Sequence, residues 1–245
     1  MQQTNMDIAA KSNIHGDCLI INQCDENGFF KENNIRMIST TDRGLSKSRN
    51  LALKNATGDI CLICDDDGIF NDNAEDLIKK AYSELPDADI IITIIQRRKK
   101  NKLPNKIKKL GFKSVLHVSS REISFRREKI IASGIKFDET IGSGVSNAGG
   151  EENLFLFDCL KHGLKIYFYP VCIGRLNLNT PSQWFKGYTK DYWLDRGIFT
   201  RKMMGRFVAS LYAVYFLLAK HKTYKKDIFI WNAMINIFRG IFSNS

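Results

Sequence analysis

The chain has 245 residues and a mass of 28.1 kDa, enough for one α/β domain with a C-terminal appendage. With 44% hydrophobic and 26% charged residues, its composition is that of a folded globular protein and excludes disorder as the default. Lys and Arg number 37 against 26 Asp and Glu, and the net charge of +11 points to an anionic partner: nucleic acid, a membrane surface or a phosphorylated substrate.

Residues 1–5 are polar with no apolar stretch behind them, which predicts no secretory signal. Residues 17–23 (DCLIINQ) read as a strand followed by a turn, and 35–39 as a second short strand. A polar loop over 40–44 leads to Ser46, an N-cap for a helix over 47–56 that Gly58 stops. Residues 60–64 (ICLIC) form a wholly apolar run, as in a buried parallel strand, and lead directly into Asp65, Asp66 and Asp67. A helix over 74–85 and a strand over 89–95 follow.

Residues 97–113 carry nine Lys and Arg and read as an exposed segment, followed by short strands at 115–119 and 123–125. A glycine-bearing loop at 142–150 opens a helix over 151–162, and a strand over 165–169 is expected to stop at Pro170. From Trp184 onward the pattern is helical and aromatic. Strand and helix alternate as in a doubly wound, mostly parallel sheet, whose ligands bind at the carboxyl ends of strands. The boundaries expected are a domain over 1–200 and a helical tail over 201–245.

The cysteines Cys18, Cys24, Cys61, Cys64, Cys159 and Cys172 are those of a reducing cytoplasm. Cys61 and Cys64 have C-x-x-C spacing, but residues three apart on a strand face opposite ways, and no second pair or histidine completes a zinc site. His15, His117, His162 and His221 form no cluster in the sequence.

Asp65 and Asp67 lie two apart at a strand end, so both side chains face one way. Carboxylates gathered there repel unless a cation joins them, and hard oxygen ligands suit Mg²⁺ or Mn²⁺ completed by phosphate oxygens. A solvated acidic turn capping the next helix is the plainer alternative.

The run Gly44-Leu45-Ser46, Arg49-Asn50, Ala56-x-Gly58-Asp59, an apolar strand and Asp65-Asp66-Asp67 resembles glycosyltransferase family 2, whose pattern is N-x-G-x-x-x-A-R-N, then A-x-G, then D-x-D. The resemblance implies the Rossmann-like GT-A fold with helices on both sheet faces, a nucleotide diphosphate-sugar donor, a divalent metal (Mn²⁺ or Mg²⁺) and inversion at the anomeric carbon. It assigns Asp65 and its neighbour Asp66 to the donor, Asp67 to the metal, and Arg49, Gly44 and Ser46 to the nucleotide pocket. Capping and surface charge are the alternative roles of Ser46 and Arg49.

Phe137-Asp138-Glu139 and the later Gly149-Gly150-Glu151-Glu152 resemble the family's F-D-E and the acidic pair that starts a helix. By that resemblance Glu152, with Glu151 beside it, is the catalytic base. Inversion needs a carboxylate to take the acceptor hydroxyl's proton, and a helix N-terminus favours its ionised form. Helix-dipole complementation is the alternative. The segment from Pro181 to Gly197 resembles bacterial polysaccharide-assembly members, with Trp184 and Tyr188 either stacking on an acceptor sugar or packing in a core. The histidine that many members place just before it is replaced here by Gly174-Arg175-Leu176-Asn177.

The family's first strand has no counterpart ahead of residues 1–5, and its usual acidic pair on the second strand is altered to Asn22-Gln23. The expectation is a GT-A sheet without its first strand, hence a shortened or impaired transferase. At the other end, 207–219 and 228–242 are aromatic-rich helices flanked by Lys and Arg. No apolar run reaches the length of a membrane span. No nucleic-acid motif accompanies the charge, so a peripheral helix pair on an anionic membrane, on the cytoplasmic face of the plasma membrane, is expected, with plain packing on the domain as the alternative. The expected activity is sugar transfer from a nucleotide-sugar to a glycan acceptor, lipid-linked, in polysaccharide biosynthesis. A membrane-associated scaffold on an impaired transferase fold, or a nucleotidyltransferase, are the alternatives.

Overall fold

The structure, a computed structural model, describes residues 2–96, 105–146, 149–177, 185 and 187–243. Along the chain run α1 (Ile8–Lys11), β1 (Cys18–Gln23), β2 (Gly28–Glu32), β3 (Ile35–Thr40), α2 (Leu45–Asn55), β4 (Ile60–Leu62), β5 (Gly68–Phe70), α3 (Ala74–Glu84) and β6 (Ile90–Gln96). They are followed by β7 (Lys108–Lys109), α4 (Phe112–Val115), β8 (Ile123–Arg126), α5 (Arg127–Ser133), α6 (Glu151–Lys161), β9 (Ile166–Leu176), α7 (Lys190–Tyr224) and α8 (Ile230–Phe242). The α/β class and the C-terminal helices agree with the sequence.

Two compact units divide the chain. The first comprises Met1–Arg43, Lys47–Lys136 and Phe155–Pro181; the second comprises Gly44–Ser46, Phe137–Leu154 and Ser182–Ser245. The expected boundary at residue 200 falls within α7.

In the first unit the strands form two sheets, ordered β1-β3-β2 and β4-β8-β6-β9-β5, with β7 on β9. β1 is parallel to β3 and β6 to β9, while the β2–β3, β4–β8, β6–β8, β5–β9 and β7–β9 pairs are antiparallel. Among the described residues β1 pairs with β3 alone and β4 with β8 alone, so each is an edge strand of its sheet. β6 is buried from Ile90 to Ile95, which suits a strand covered on both faces. Phe70, Ile78, Ala81, Tyr82, Ile91 and Ile173 gather into a core beneath α3.

Several local expectations are corrected. Ser46 lies inside α2, not ahead of it. The segment 115–119 is no strand, because α4 already occupies Phe112–Val115. Pro170 does not stop β9. The register jumps from Ile92↔Phe168 to Ile94↔Cys172, so Tyr169, Pro170 and Val171 bulge opposite Thr93, and a proline lacking its N–H is tolerated there. β2, β5, α1 and α5 have no counterpart in the sequence reading. The helix α7 is, by length and composition, apolar enough to cross a membrane, unlike the shorter run seen in the sequence. It bends at Gly205, whose φ of 74° is left-handed.

In the second unit α7 and α8 share a core of Trp193, Ala209, Ala213, Phe216, Leu217, Tyr224, Ala233, Ile237 and Ile241. The α8 backbone crosses the first half of α7 glycine against glycine. A Cβ on Gly240 would strike the Leu194 carbonyl oxygen, and one on Gly197 the Ile237 carbonyl oxygen.

Candidate functional site: an aspartate turn held by two arginines

Asp65, Asp66 and Asp67 occupy the turn between β4 and β5. Two strand pairings fix its ends. β5 pairs with the last residues of β9, and Asn177 N–H donates to the Asp67 carbonyl at 2.8 Å. Gly174 allows that close approach, since a Cβ there would sit 2.5 Å from the Ile69 carbonyl oxygen. At the other end β4 pairs antiparallel with β8 in the register Leu62↔Ser124, and Ile63 N–H donates to Ile123 O at 3.0 Å. Carried two or three residues further, the same register sets the Asp65 turn against Ser120 and Arg121.

Those two residues sit in a single 3-10 turn, Ser120–Glu122, where the Ser119 N–H donates to Glu122 Oε2 at 3.0 Å. Arg121 donates from Nε and Nη2 to the two Asp67 carboxylate oxygens, both at 2.6 Å, and its Nε is 3.4 Å from Asp65 Oδ2. Asp65 accepts a hydrogen bond from a second guanidinium, Arg49 Nη2, at 3.1 Å and another from the Ser120 hydroxyl at 2.8 Å. Arg49, in the second turn of α2, is only 7% exposed. Burial works against the ionised Asp65, but Arg49, Arg121 and the Ser120 hydroxyl outweigh it and hold its carboxyl below the usual range. Asp66, by contrast, is exposed.

The two aspartates therefore converge on one cation, and in the structure that cation is the Arg121 guanidinium. Among the described residues no group of three or more His, Cys, Asp or Glu side chains could hold a metal ion. Asp67 offers two hard carboxylate oxygens of the kind a divalent ion takes, and both are engaged by Arg121 in the structure. Ser120 and Arg121 were missed in the sequence. Their signal was the S-x-x-E of Ser119-Ser120-Arg121-Glu122, which marks a capped turn just ahead of an apolar strand.

The other predicted residues lie in the second unit. Gly44 has φ 115° and Leu45 N–H donates to Ser143 O at 3.0 Å. The Ser46 hydroxyl donates to the Ile141 carbonyl at 2.6 Å. Gly142 is pinned between Ser46 and Glu151: a Cβ on it would meet Ser46 Oγ at 3.1 Å and Glu151 Cγ at 3.3 Å. Glu151 is buried and accepts from Gly150 N–H at 3.1 Å, whereas Glu152, in the same first turn of α6, is half-buried. Tyr188 packs on Tyr192, with ring centroids 5.1 Å apart, in the aromatic cluster beside the α7–α8 core. Trp184 lies outside the described residues. The six cysteines are free thiols.

Residues 20–146, more than half of the chain, match the family model described as glycosyl transferase family 2. Among solved structures, that of S. aureus TarS 1-349 matches with a TM-score of 0.61 at 12% identity, over 91% of this chain and 71% of that one. The same protein in complex with UDP-GlcNAc matches with a TM-score of 0.60 at 14% identity, over 83% of this chain and 63% of that one. Its complex with UDP gives 0.57 at 15% identity, over 85% and 64%. At such identities the likeness concerns the fold. A search of curated proteins gives no match.

Proposed function

Because the chain belongs to glycosyltransferase family 2, we propose that it transfers a sugar from a nucleoside diphosphate-sugar donor to a hydroxyl of a lipid-linked glycan in polysaccharide assembly, with a divalent metal and inversion of the anomeric carbon. The observation that carries this reading is the Asp65–Asp67 turn after β4, where two carboxylates converge on the Arg121 guanidinium. The TarS structures with UDP and UDP-GlcNAc, on a similar fold, support a uridine or related nucleotide as the donor class.

In this reading Asp65, held ionised by Arg49, orients the nucleoside, and Asp67 would hold Mn²⁺ or Mg²⁺. The ion when bound supplies positive charge to the leaving diphosphate. Arg121, released from Asp67, is free to contact the same phosphates, which a planar guanidinium binds in bidentate fashion. Glu152 takes the proton from the acceptor hydroxyl as that oxygen attacks, and the amide dipoles at the start of α6 favour its ionised form. In the same reading Gly44, just ahead of α2, and Ser46, in its first turn, belong to the nucleotide pocket.

The nucleotidyltransferase alternative loses its basis with the family. The impaired-scaffold alternative keeps one supporting observation, the division of the described strands into two separate sheets. One experiment separates them: calorimetric binding of UDP- and GDP-sugars with and without Mn²⁺, for the wild type and Asp67→Ala, followed by turnover with a glycan acceptor. Metal-dependent binding lost in Asp67→Ala, together with turnover, is the expected result. Binding without turnover, or no nucleotide binding by the folded wild type, overturns the transferase reading and favours the scaffold.

A further inference from the structure

Beyond its bend at Gly205, α7 carries two apolar stripes on opposite sides. Ala209, Ala213, Phe216, Leu217 and Tyr224 are buried in the core shared with α8. Turned the other way are Phe207, Leu211, Val214, Tyr215 and Leu218, all exposed, Phe207 at 78% and Leu218 at 67%. Their spacing of i, i+4, i+7, i+8 and i+11 keeps them within about a third of the helix circumference. α8 repeats the arrangement: Ala233, Ile237 and Ile241 face the core, while Trp231, at 69% exposure, Ile235 and Phe242 face outward. Phe229, 82% exposed, stands at the turn into α8.

Ordinary surface does not leave such rows of large side chains in water. What surrounds them selects the occupant. Arg206, Lys220, Lys222, Lys225, Lys226 and Arg239 are all exposed, and Asp227 is the sole acid between Arg206 and Ser243. A second copy would set these cations against one another. An anionic bilayer surface meets them, and aromatic residues such as Trp231, Tyr215 and Phe229 suit the boundary between headgroups and acyl chains.

We propose that the outward stripe of α7 after Gly205, with the turn into α8, lies in the plane of an anionic lipid surface. The helix lies on the bilayer and does not span it, because one side is already committed to the protein core through Ala213, Phe216 and Leu217. The proposal rests on this face alone, so its failure leaves the transferase reading untouched.

The test is flotation of the full chain with vesicles of phosphatidylcholine alone and with about a third phosphatidylglycerol. The wild type is expected to be monomeric by light scattering and to float with the anionic vesicles, less with neutral ones and less at high salt. The triple variant Phe207→Ser/Leu211→Ser/Leu218→Ser is expected to lose about tenfold or more in partitioning with unchanged circular dichroism and melting, since all three side chains face outward. Lys225→Ala/Lys226→Ala lowers binding to the anionic vesicles only. No flotation of the wild type, undiminished flotation of the triple variant, or a wild-type dimer that the triple variant dissolves overturns the proposal.

Discussion

Arg121→Gln tests the idea that a guanidinium stands where a metal binds. In the structure Arg121 Nε is 2.6 Å from Asp67 Oδ1 and 3.4 Å from Asp65 Oδ2. Two oxygens within reach of one nitrogen are at most about 6 Å apart, where two like charges at an effective dielectric near 20 repel by about 3 kcal/mol. The three side chains are about one-fifth exposed, and Asp65 keeps Arg49 and Ser120, so solvent and the remaining partners absorb part of that repulsion. The net loss expected is about 1–3 kcal/mol, below the figure for stripping one partner from a fully buried pair. For a chain of this size that lowers Tm by about 2–10 °C. Thermal unfolding with and without millimolar Mn²⁺ reads the effect. The variant should melt lower than the wild type without metal and recover most of the difference with it, because a cation bound only by the folded state stabilises it by mass action. A variant as stable as the wild type, or an equal response of both proteins to Mn²⁺, refutes the reasoning.

Three further outcomes are expected. Glu152→Gln should lower turnover by about 10²–10⁴-fold with donor affinity unchanged, read by product formation and nucleotide-sugar titration, and a parallel loss of donor binding would count against a base at this position. Acid should weaken the fold through Asp65 and through Asp138, where Lys202 and Thr140 outweigh burial. Both carboxyls have folded values below the unfolded one of about 4, so their stabilisation is complete above that pH and lost as pH falls through the folded values. Urea midpoints should accordingly drop more steeply below pH ~4 for the wild type than for Asp65→Asn, and superimposable pH profiles would contradict it. Gly240→Val places side-chain atoms against the Leu194 carbonyl and should cost about 1–3 kcal/mol or more, seen as lost hydrogen-exchange protection along α8; full protection would mean that the glycine contact is dispensable.

The aspartate turn and its family context were legible because they are local: an apolar strand, a run of acids and a helix with Arg49 lie within one stretch of chain. Arg121 was not, because it reaches Asp65 only through antiparallel β4–β8 pairing, and nothing in either strand's composition announces its partner or direction. Pro170 misled for a related reason. A proline stops a strand by rule, but the bulge opposite Thr93 needs no N–H there, and that bulge exists only once β6 and β9 are in register. Ser46 reads as a helix cap from its neighbours, yet the partner its hydroxyl finds, Ile141 O, is 95 residues away. The C-terminal helices were visible as apolar and basic. Which of their faces is buried came from tertiary packing: the two stripes on α7 have the same period, and sequence alone cannot say which of them meets α8.

The charges around the aspartate turn suggest how donor and metal would arrive. Asp65 and Asp67 are balanced by Arg49 and Arg121, so this group is neutral without ligand, with the exposed Asp66 left to solvent. A divalent ion arriving alone would have to displace Arg121 from two short bonds and leave that guanidinium with only the longer contact to Asp65. A diphosphate arriving alone meets an arginine already engaged and two carboxylates of its own sign. Were ion and diphosphate to arrive together, their charges would cancel, Asp67 would hold the ion in place of the guanidinium, and Arg121 would gain the phosphates in place of the carboxylate it gives up. The coupling is reciprocal, so Mn²⁺ should tighten nucleotide binding by the factor by which nucleotide tightens Mn²⁺ binding. With Gln at position 121 most of that coupling should vanish, because the metal no longer has a guanidinium to evict. Stability and coupling thus trace to the same three side chains, Arg121, Asp65 and Asp67, from opposite directions.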